Sequence, residues 1–365
     1  MTAPPVPEWR LLLSALADTL PEEVLADPGW RRAFLTVPRH VFVPGFYTDE
    51  RPRPRWVSLD DPSWLPRVYS DTSLVTQIRR HPDDPHNWWP TSSSSRPSLM
   101  LAMLHALDVA DGMRVLELGT GTGYNAALLA ARLGEDAVVS VDIDPALVAA
   151  ARARLARLDL HPRVAVADSA GGHRAGAPYD RVIATHSVER VPYAWVEQTR
   201  PGGVILVDLR SVGNARVGRI ARLTVHDDGT ATGDFRALLG GSFMPARREV
   251  AVPDRRLLPA RDLREAATRP SELGADVLAD PDLAFALWAA EPDISFVPLG
   301  TQTLLFTPDG SWASAPQVPG EVQVAGKCDL WRSVEEVHAS WVAAGRPRVE
   351  DHTITVTEHE QRIEA

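Results

Sequence analysis

Apolar and polar residues change their spacing near residue 97. Beyond this point, short apolar runs alternate with stretches in which apolar residues recur at helical spacing. A helix is predicted over 98–107, and strands are predicted over 114–118, 137–141, 163–167, 180–185 and 204–207, with helices between them. Alternating strands and helices are typical of a parallel sheet covered by helices on both faces. The pattern therefore predicts a doubly wound, Rossmann-like α/β core.

The segment before this core is less periodic. Apolar residues at helical spacing predict short helices over 8–36. Residues 37–44 hold two prolines, which predicts an extended connection. Residues 45–97 hold many prolines and little periodicity, so an irregular, loop-rich segment is predicted. The four tryptophans of that segment either pack onto a core or form a wall that grips a peptide.

The pattern after the core predicts further structure. Two strands over 218–225 and 230–237 are predicted, joined by Asp227-Asp228-Gly229, which is a hairpin signal. An arginine- and proline-rich linker is predicted around 253–269. The elements predicted beyond it are a helical turn over 275–278, helices over 284–290 and 334–344, and strands over 303–307, 311–314 and 353–357. Three regions follow: N-terminal helices and substrate-side loops (1–96), the ligand-binding core (97–248) and a C-terminal α+β accessory domain (249–365).

Composition narrows the class of protein. The chain has 365 residues, which favours more than one domain, and 44% of its residues are hydrophobic, as in ordinary globular proteins. There is no apolar run of about 18 residues, and the N-terminal segment does not predict a secretory leader, so no membrane partner is predicted. The single cysteine, Cys328, excludes an internal disulfide and favours a cytoplasmic location. The net charge of −10 disfavours a nucleic-acid partner.

The most informative motif is the glycine-rich turn Gly119-Thr120-Gly121-Thr122-Gly123, which follows an apolar strand and precedes a helix. Such a turn lets a ligand lie against bare backbone. Asp142 ends the next strand about 20 residues later, where an acid can hold ribose hydroxyls. Tyr124 stands where a dinucleotide fingerprint needs its third glycine, and there is no P-loop lysine. Glu117 would repel a pyrophosphate but would suit a cation, which points to S-adenosylmethionine.

Other segments accompany this turn, namely Val37-Pro38-Arg39-His40-Val41-Phe42-Val43-Pro44, Tyr69-Ser70-Asp71, Ser94-Ser95-Arg96-Pro97, Tyr179-Asp180, Val191-Pro192, Gln198, Pro201-Gly202-Gly203 and Phe243-Met244-Pro245. Over roughly residues 30–247 this combination resembles the protein-L-isoaspartate O-methyltransferase family. The resemblance implies a class I methyltransferase fold, S-adenosylmethionine as cofactor with S-adenosylhomocysteine as product, and a peptide or protein substrate whose carboxylate is methylated.

The resemblance also implies roles for site residues. Ser95 is expected to position the acceptor carboxylate, with Ser94 as the second candidate and a helix cap before Pro97 as the alternative role. Glu117 is expected to hold the methionine end of the cofactor and Asp142 its ribose. Asp168 is expected to hold the adenine amine, unless it caps the turn after its strand. The remaining cofactor residues are predicted to be Gly119, Thr120, Gly121, Gly123, Tyr124, Asn125 and Thr185. The histidines and acids do not show metal-ligand spacing, so no metal is predicted.

The chain departs from the family's repair enzymes at three points. The run Thr91-Ser92-Ser93-Ser94-Ser95 replaces the usual Thr-Ile before the serine, His186 stands where small residues are usual, and over 100 residues follow residue 247. These departures resemble actinobacterial relatives that methylate an aspartate in ribosomally made, ring-constrained peptides such as lanthipeptides and graspetides, where the ester then closes to an aspartimide. That activity is the leading prediction, and repair of isoaspartate in damaged proteins is the alternative. A non-catalytic peptide-docking module and a nucleic-acid methyltransferase are less favoured, because the glycines and acids are intact and no basic face is evident.

Overall fold

The N-terminal region combines short helices with a small antiparallel sheet. The computed structural model describes residues 7–50, 54–81, 84–214, 216–236, 242–247 and 266–365. The N-terminal elements are α1 (Glu8–Thr19), α2 (Pro28–Thr36), α3 (Arg39–Phe42), β1 (Gly45–Tyr47), β2 (Trp56–Ser58), α4 (Trp64–Val68), β3 (Leu74–His81) and β4 (Asp84–Ser94). The strands pair in the order β2-β1-β3-β4, and all pairs are antiparallel. The predicted helices over 8–36 are confirmed.

Two predictions for this region are wrong. Residues 45–97 are not an irregular segment, since more than half of them lie in the small sheet or in α4, and residues 37–44 include the one-turn helix α3. Pro38 precedes the first turn of α3, where the ring does not break a helical hydrogen bond. β4 is an edge strand, and an edge strand tolerates a proline such as Pro90. Its serines and prolines hid the period-2 pattern by which strands are recognised.

The central region is the predicted doubly wound core. Its elements are α5 (Pro97–Leu107), β5 (Val115–Leu118), α6 (Tyr124–Leu133), β6 (Val138–Asp142), α7 (Pro145–Ala156), β7 (Arg163–Val166), β8 (Tyr179–Val188), α8 (Tyr193–Glu197), β9 (Thr199–Arg210), β10 (Gly218–Val225) and β11 (Ala231–Arg236). Strands β9, β8, β5, β6 and β7 are neighbours in that order and are parallel. The strand order reverses at β5, and ligands bind outside the carboxyl ends of strands at such a point. The predicted hairpin is confirmed as β10 and β11.

The C-terminal region joins the central sheet and adds a second one. Its elements are β12 (Ala267–Ser271), α9 (Pro281–Ala290), β13 (Ser295–Leu299), β14 (Gln302–Phe306), β15 (Trp312–Pro316), β16 (Gly320–Ala325), α10 (Leu330–Ala343), β17 (Thr353–Val356) and β18 (Gln361–Glu364). β17 pairs with β11 and β18 with β17, which completes the nine-stranded order β18-β17-β11-β10-β9-β8-β5-β6-β7. The other strands form the antiparallel sheet β12-β16-β15-β14-β13.

The C-terminal predictions hold for the helices and for three strands. α9, α10, β14, β15 and β17 overlap the predicted segments, whereas β12, β13, β16 and β18 were not predicted. Trp331 and Val334 of α10 are fully buried and belong to one apolar cluster with Phe235 of β11. The predicted linker over 253–269 lies mostly outside the described residues. The division at residues 96 and 248 stays a prediction. Across the described residues, none of the helices is both long and apolar enough to cross a bilayer.

Candidate active site

A cavity of about 370 Å³ opens at the carboxyl ends of the parallel strands. Its walls come from four places: the glycine turn after β5, the ends of β6 and β8, the end of β4 with the first turn of α5, and residues 242–247. The core and the N-terminal sheet therefore contribute to one site. Most of the residues predicted to bind cofactor or substrate lie in its wall, namely Ser94, Ser95, Glu117, Gly119, Thr120, Gly121, Tyr124, Asn125, Asp142 and Thr185.

The glycine turn is shaped by conformations that side chains resist. Gly119 and Gly123 have φ values of +101° and +88°, in the left-handed region that favours glycine. A Cβ on Gly119 would lie 2.8 Å from the Thr185 Oγ1, so the first glycine also permits close packing against β8. That threonine hydroxyl donates a 2.7 Å hydrogen bond to the Gly119 carbonyl oxygen, which fixes the turn. Gly123 immediately precedes α6 and lies outside the cavity wall. It packs against Ala151 of α7.

Glu117 is a fully buried acid in the cavity wall. Its Oε1 accepts a 2.8 Å hydrogen bond from the Asn125 Nδ2, and its Oε2 accepts a 2.5 Å bond from the Ser140 hydroxyl. Burial raises the pKa of Glu117 to about 7, although both hydrogen bonds oppose the shift. The Asn125 Oδ1 is buried without a hydrogen-bond partner among the described residues. A carboxylate beside an unpaired carbonyl oxygen fits a cationic group such as an ammonium.

Asp142 is held by the backbone at the end of β6. Its Oδ2 accepts a 2.8 Å hydrogen bond from the Gly121 N–H, and its Oδ1 accepts a 3.0 Å bond from the Asp144 N–H. Burial raises its pKa, and the nearby Arg247 acts in the opposite direction. Asp142 therefore fixes the position of the glycine turn through a hydrogen bond. Each carboxylate oxygen keeps a further lone pair that can accept from a ligand hydroxyl.

Asp168 lies outside the cavity wall, unlike most of the other residues predicted to bind the cofactor. It is exposed, and its Oδ1 accepts a 2.9 Å hydrogen bond from the Ala170 N–H at the start of a 3₁₀ turn. It does not line the cavity, whereas the next residue, Ser169, does. This placement favours the capping role that the sequence left open.

The loop that carries Ser94 and Ser95 is held by a buried arginine that sequence reasoning missed. Arg39 is fully buried, and its guanidinium donates to five backbone carbonyl groups and to one hydroxyl. The acceptors are the carbonyl oxygens of Val68, Ser70, Thr72, Ser94 and Ser95 and the Oγ of Ser94, at 2.9–3.2 Å. Arg39 lies in one of the segments that carry the family resemblance, which was the signal available in the sequence.

The two serines differ in what their hydroxyls do. The Ser94 Oγ accepts from the Arg39 Nε, so it supports the loop. The Ser95 hydroxyl lies in the cavity wall and makes no hydrogen bond to the described residues. Neither serine caps α5, because the Asp71 Oδ1 accepts a 2.8 Å bond from the Ser98 N–H instead. The capping alternative for Ser95 is therefore wrong.

Residues 242–247 form the opposite wall and were not predicted to be part of the site. The Phe243 N–H donates a 2.9 Å hydrogen bond to the buried Asp208, whose carboxylate is also paired with Arg210. Ser187 of β8 donates its N–H to the Met244 carbonyl and accepts from the Ala246 N–H. The ends of β8 and β9 therefore fix this segment against the cavity.

These features define a class I S-adenosylmethionine-dependent methyltransferase. They are five parallel strands whose order reverses at β5, a glycine turn after β5, an acid at the end of β6, and an acid at the end of β5 that can bind a cation. The cofactor predicted from the sequence is thus the one that this class uses.

Comparisons with known proteins identify the family. The profile described as "Protein-L-isoaspartate(D-aspartate) O-methyltransferase (PCMT)" matches residues 64–236. Protein-L-isoaspartate O-methyltransferase 2 of Archaeoglobus fulgidus is 30% identical over 238 residues, which cover 64% of this chain and 92% of that relative. The Thermococcus onnurineus protein-L-isoaspartate O-methyltransferase is 31% identical over 192 residues, which cover 52% and 74%. The chain belongs to the protein-L-isoaspartate O-methyltransferase family, and it is a carboxyl methyltransferase.

A solved structure extends the similarity in fold. A protein-L-isoaspartate O-methyltransferase structure matches with a TM-score of 0.57 and 21% identity, over 97% of this chain and 98% of that one. The shared fold therefore includes the C-terminal region. The family resemblance and the α/β fold class predicted from the sequence are confirmed.

Proposed function

We propose that the protein transfers a methyl group from S-adenosylmethionine to the carboxylate of an isoaspartyl residue in a polypeptide. The observation that carries this proposal is the unpaired Ser95 hydroxyl in a cavity that also contains the cofactor-suited Glu117, Asn125 and Asp142. The relatives above are named for isoaspartate methylation, so they support the alternative of the sequence analysis better than its leading prediction.

The chemistry needs positioning and does not need a general base. S-adenosylmethionine would supply the methyl group from its sulfonium, with the S–C bond breaking as the O–C bond to the carboxylate forms and S-adenosylhomocysteine as the product. A carboxylic acid of reference pKa about 4 is already ionised at neutral pH. Ser95 would donate a hydrogen bond to one carboxylate oxygen and leave the other free to attack. Arg39 would keep that hydroxyl in place through its bonds to the loop backbone.

Ser95→Ala should lower the methylation rate constant by about 10- to 100-fold, the size of one lost positioning hydrogen bond, and should leave cofactor affinity unchanged. Ser94→Ala is the matched control, because its hydroxyl faces Arg39. It should cost about 1 kcal/mol of stability and little rate. Initial rates, calorimetry with S-adenosylhomocysteine and melting curves on both variants separate these effects. A normal rate in Ser95→Ala would contradict the assignment.

Cofactor binding should strengthen as pH rises through the pKa of Glu117. Burial holds that pKa near 7, so Glu117 is mostly neutral at lower pH and cannot attract an ammonium. Affinity for S-adenosylhomocysteine should rise about tenfold from roughly pH 6 to a plateau above pH 7.5, as proton linkage requires. Glu117→Gln should bind more weakly and lose this dependence. Calorimetry across the range tests it, and an affinity that is independent of pH in the unmodified protein would exclude the assigned role.

Methylation of an aspartate in a ring-constrained peptide is the second candidate. The observation that favours it is that all five residues of the Thr91–Ser95 run line the cavity, which gives the acceptor side several hydroxyl-bearing residues. Three synthetic peptides of one sequence distinguish the candidates: linear with isoaspartate, linear with aspartate, and macrocyclic with aspartate. Mass spectrometry should show gain of one methyl group on the isoaspartyl peptide. Preferential methylation of the macrocycle would instead establish the second candidate.

A further inference from the structure

His186 lies where three walls of the cavity meet. It follows Thr185 in β8 and lines the cavity beside the glycine turn, since a Cβ on Gly119 would lie 3.3 Å from its Cδ2. Its ring meets Trp195 edge-on, with 6.2 Å between ring centroids. The next residue, Ser187, is hydrogen-bonded on both sides to residues 244–246. The backbone around the imidazole is therefore fixed.

The ring nitrogens of His186 lack a hydrogen-bond partner of good geometry among the described residues. Nδ1 and Nε2 are both buried, and neither makes a hydrogen bond to the described residues. Burial lowers the pKa of His186 to about 4; the nearby Ser187 backbone and, more weakly, the charge of Asp168 oppose this shift, and Arg247 adds to it. At neutral pH the imidazole is thus uncharged and carries one N–H donor and one acceptor. Buried polar groups in native proteins nearly always have partners, so two unpaired nitrogens in a cavity wall indicate a partner that comes with the ligand.

We propose that His186 is a specificity-determining contact of the methyl-transfer site, whose ring N–H donates a hydrogen bond to a carboxylate bound in the cavity. The proposal rests on the proposed function, in which both the cofactor and the isoaspartyl residue carry such a group. Glu117 and Asp142 present acceptors and cannot serve a carboxylate. Arg96 and Arg247 also line the cavity. A neutral imidazole adds a directional donor there without adding to their positive charge near the sulfonium.

Two variants test the role of the ring. His186→Leu removes the donor at similar volume, and His186→Asn keeps a donor. His226→Ala is the control, because that histidine lies at the exposed end of the β10–β11 hairpin. In the ligand-free protein, His186→Leu should melt at the same temperature or higher, because it removes two unsatisfied buried atoms. A core histidine with a structural role would instead lower the melting temperature on replacement, and that result would overturn the proposal.

Two probes identify the source of the carboxylate. S-adenosylhomocysteine carries the amino-acid group, and 5′-methylthioadenosine lacks it. If the partner is the cofactor, His186→Leu should weaken S-adenosylhomocysteine by about tenfold or more in calorimetry and leave methylthioadenosine unchanged. If the partner is the substrate, both probes should bind normally, and KM for the isoaspartyl peptide should rise about tenfold at saturating cofactor. In either case His186→Asn should recover part of the loss.

Loss of the His186 contact and failure of the proposed function give different results. If the unmodified protein does not methylate the isoaspartyl peptide, the proposed function fails, while the two nucleoside probes still report on a carboxylate contact. Unchanged probe affinities together with an unchanged KM in His186→Leu would overturn the proposal.

Discussion

Arg39→Met should reduce the free energy of unfolding by about 3–5 kcal/mol, the range seen when one partner of a buried charged interaction is removed. Arg39 is completely buried, and its guanidinium is the shared donor for five carbonyl groups from two segments of chain. Methionine fills much of the volume but leaves these oxygens without a donor in a dry interior. Burial lowers the pKa of Arg39 to about 10. This value is still well above 7, so the guanidinium is charged at neutral pH.

The same substitution should slow methylation beyond its effect on stability. Two of the acceptors are the Ser94 and Ser95 carbonyls, so the acceptor loop loses its fixed position. Urea unfolding and initial rates, measured where the variant is still folded, give the two effects separately. Arg31→Met is the control, because Arg31 is an exposed residue of the neighbouring α2 and should change either quantity little. Arg39→Lys should also be destabilised, since an ammonium cannot reach the acceptors of a planar guanidinium. A loss below about 1 kcal/mol in Arg39→Met would show that water replaces the guanidinium.

The parallel core could be predicted because its signals are local. A buried strand, a glycine turn and a helix start follow one another within 115–125, and the next acid comes at the end of the following strand. Right-handed crossovers then bring the strand ends together without further information. The predicted cofactor residues consequently share one cavity, apart from Gly123 and Asp168.

The acceptor side could not be predicted in the same way because its contacts are distant in sequence. The cap of α5 comes from Asp71, 27 residues before the N–H that it accepts from. The guanidinium of Arg39 reaches Ser94 and Ser95, which lie 55 and 56 residues away. Local spacing assigns the serine run to a cap or a flexible loop, and only the fold shows that another residue does the capping. The segment 242–247 was missed for the same reason, since Asp208 and Ser187 hold it from two different strands.

Asp142 should be the most sensitive position for cofactor affinity. Each of its oxygens already accepts a backbone N–H, one from Gly121 and one from Asp144. In Asp142→Asn, the amide NH₂ would face one of these donors, so the variant loses a hydrogen bond of the turn as well as the charge offered to a ribose hydroxyl. We expect S-adenosylhomocysteine binding to weaken by about 2–3 kcal/mol, or roughly 30- to 150-fold, as for a charge-assisted hydrogen bond left unmade.

Asp144→Asn is the matched control for this prediction. Asp144 lies two residues away, and its carboxylate caps α7 and contacts Gln77 and Arg79 of β3, but it does not line the cavity. Asparagine can still cap α7 through its Oδ1, so the replacement should cost at most about 1 kcal/mol of stability, from the weakened contacts with Gln77 and Arg79, and should leave affinity within about threefold. Asp168→Ala should likewise change affinity little, because that carboxylate caps an exposed turn. Calorimetry on the three variants ranks the acids directly. Equal losses of affinity at Asp142 and Asp168 would show that adenine recognition extends to the exposed turn. A normal affinity in Asp142→Asn would show that the cofactor does not contact the end of β6.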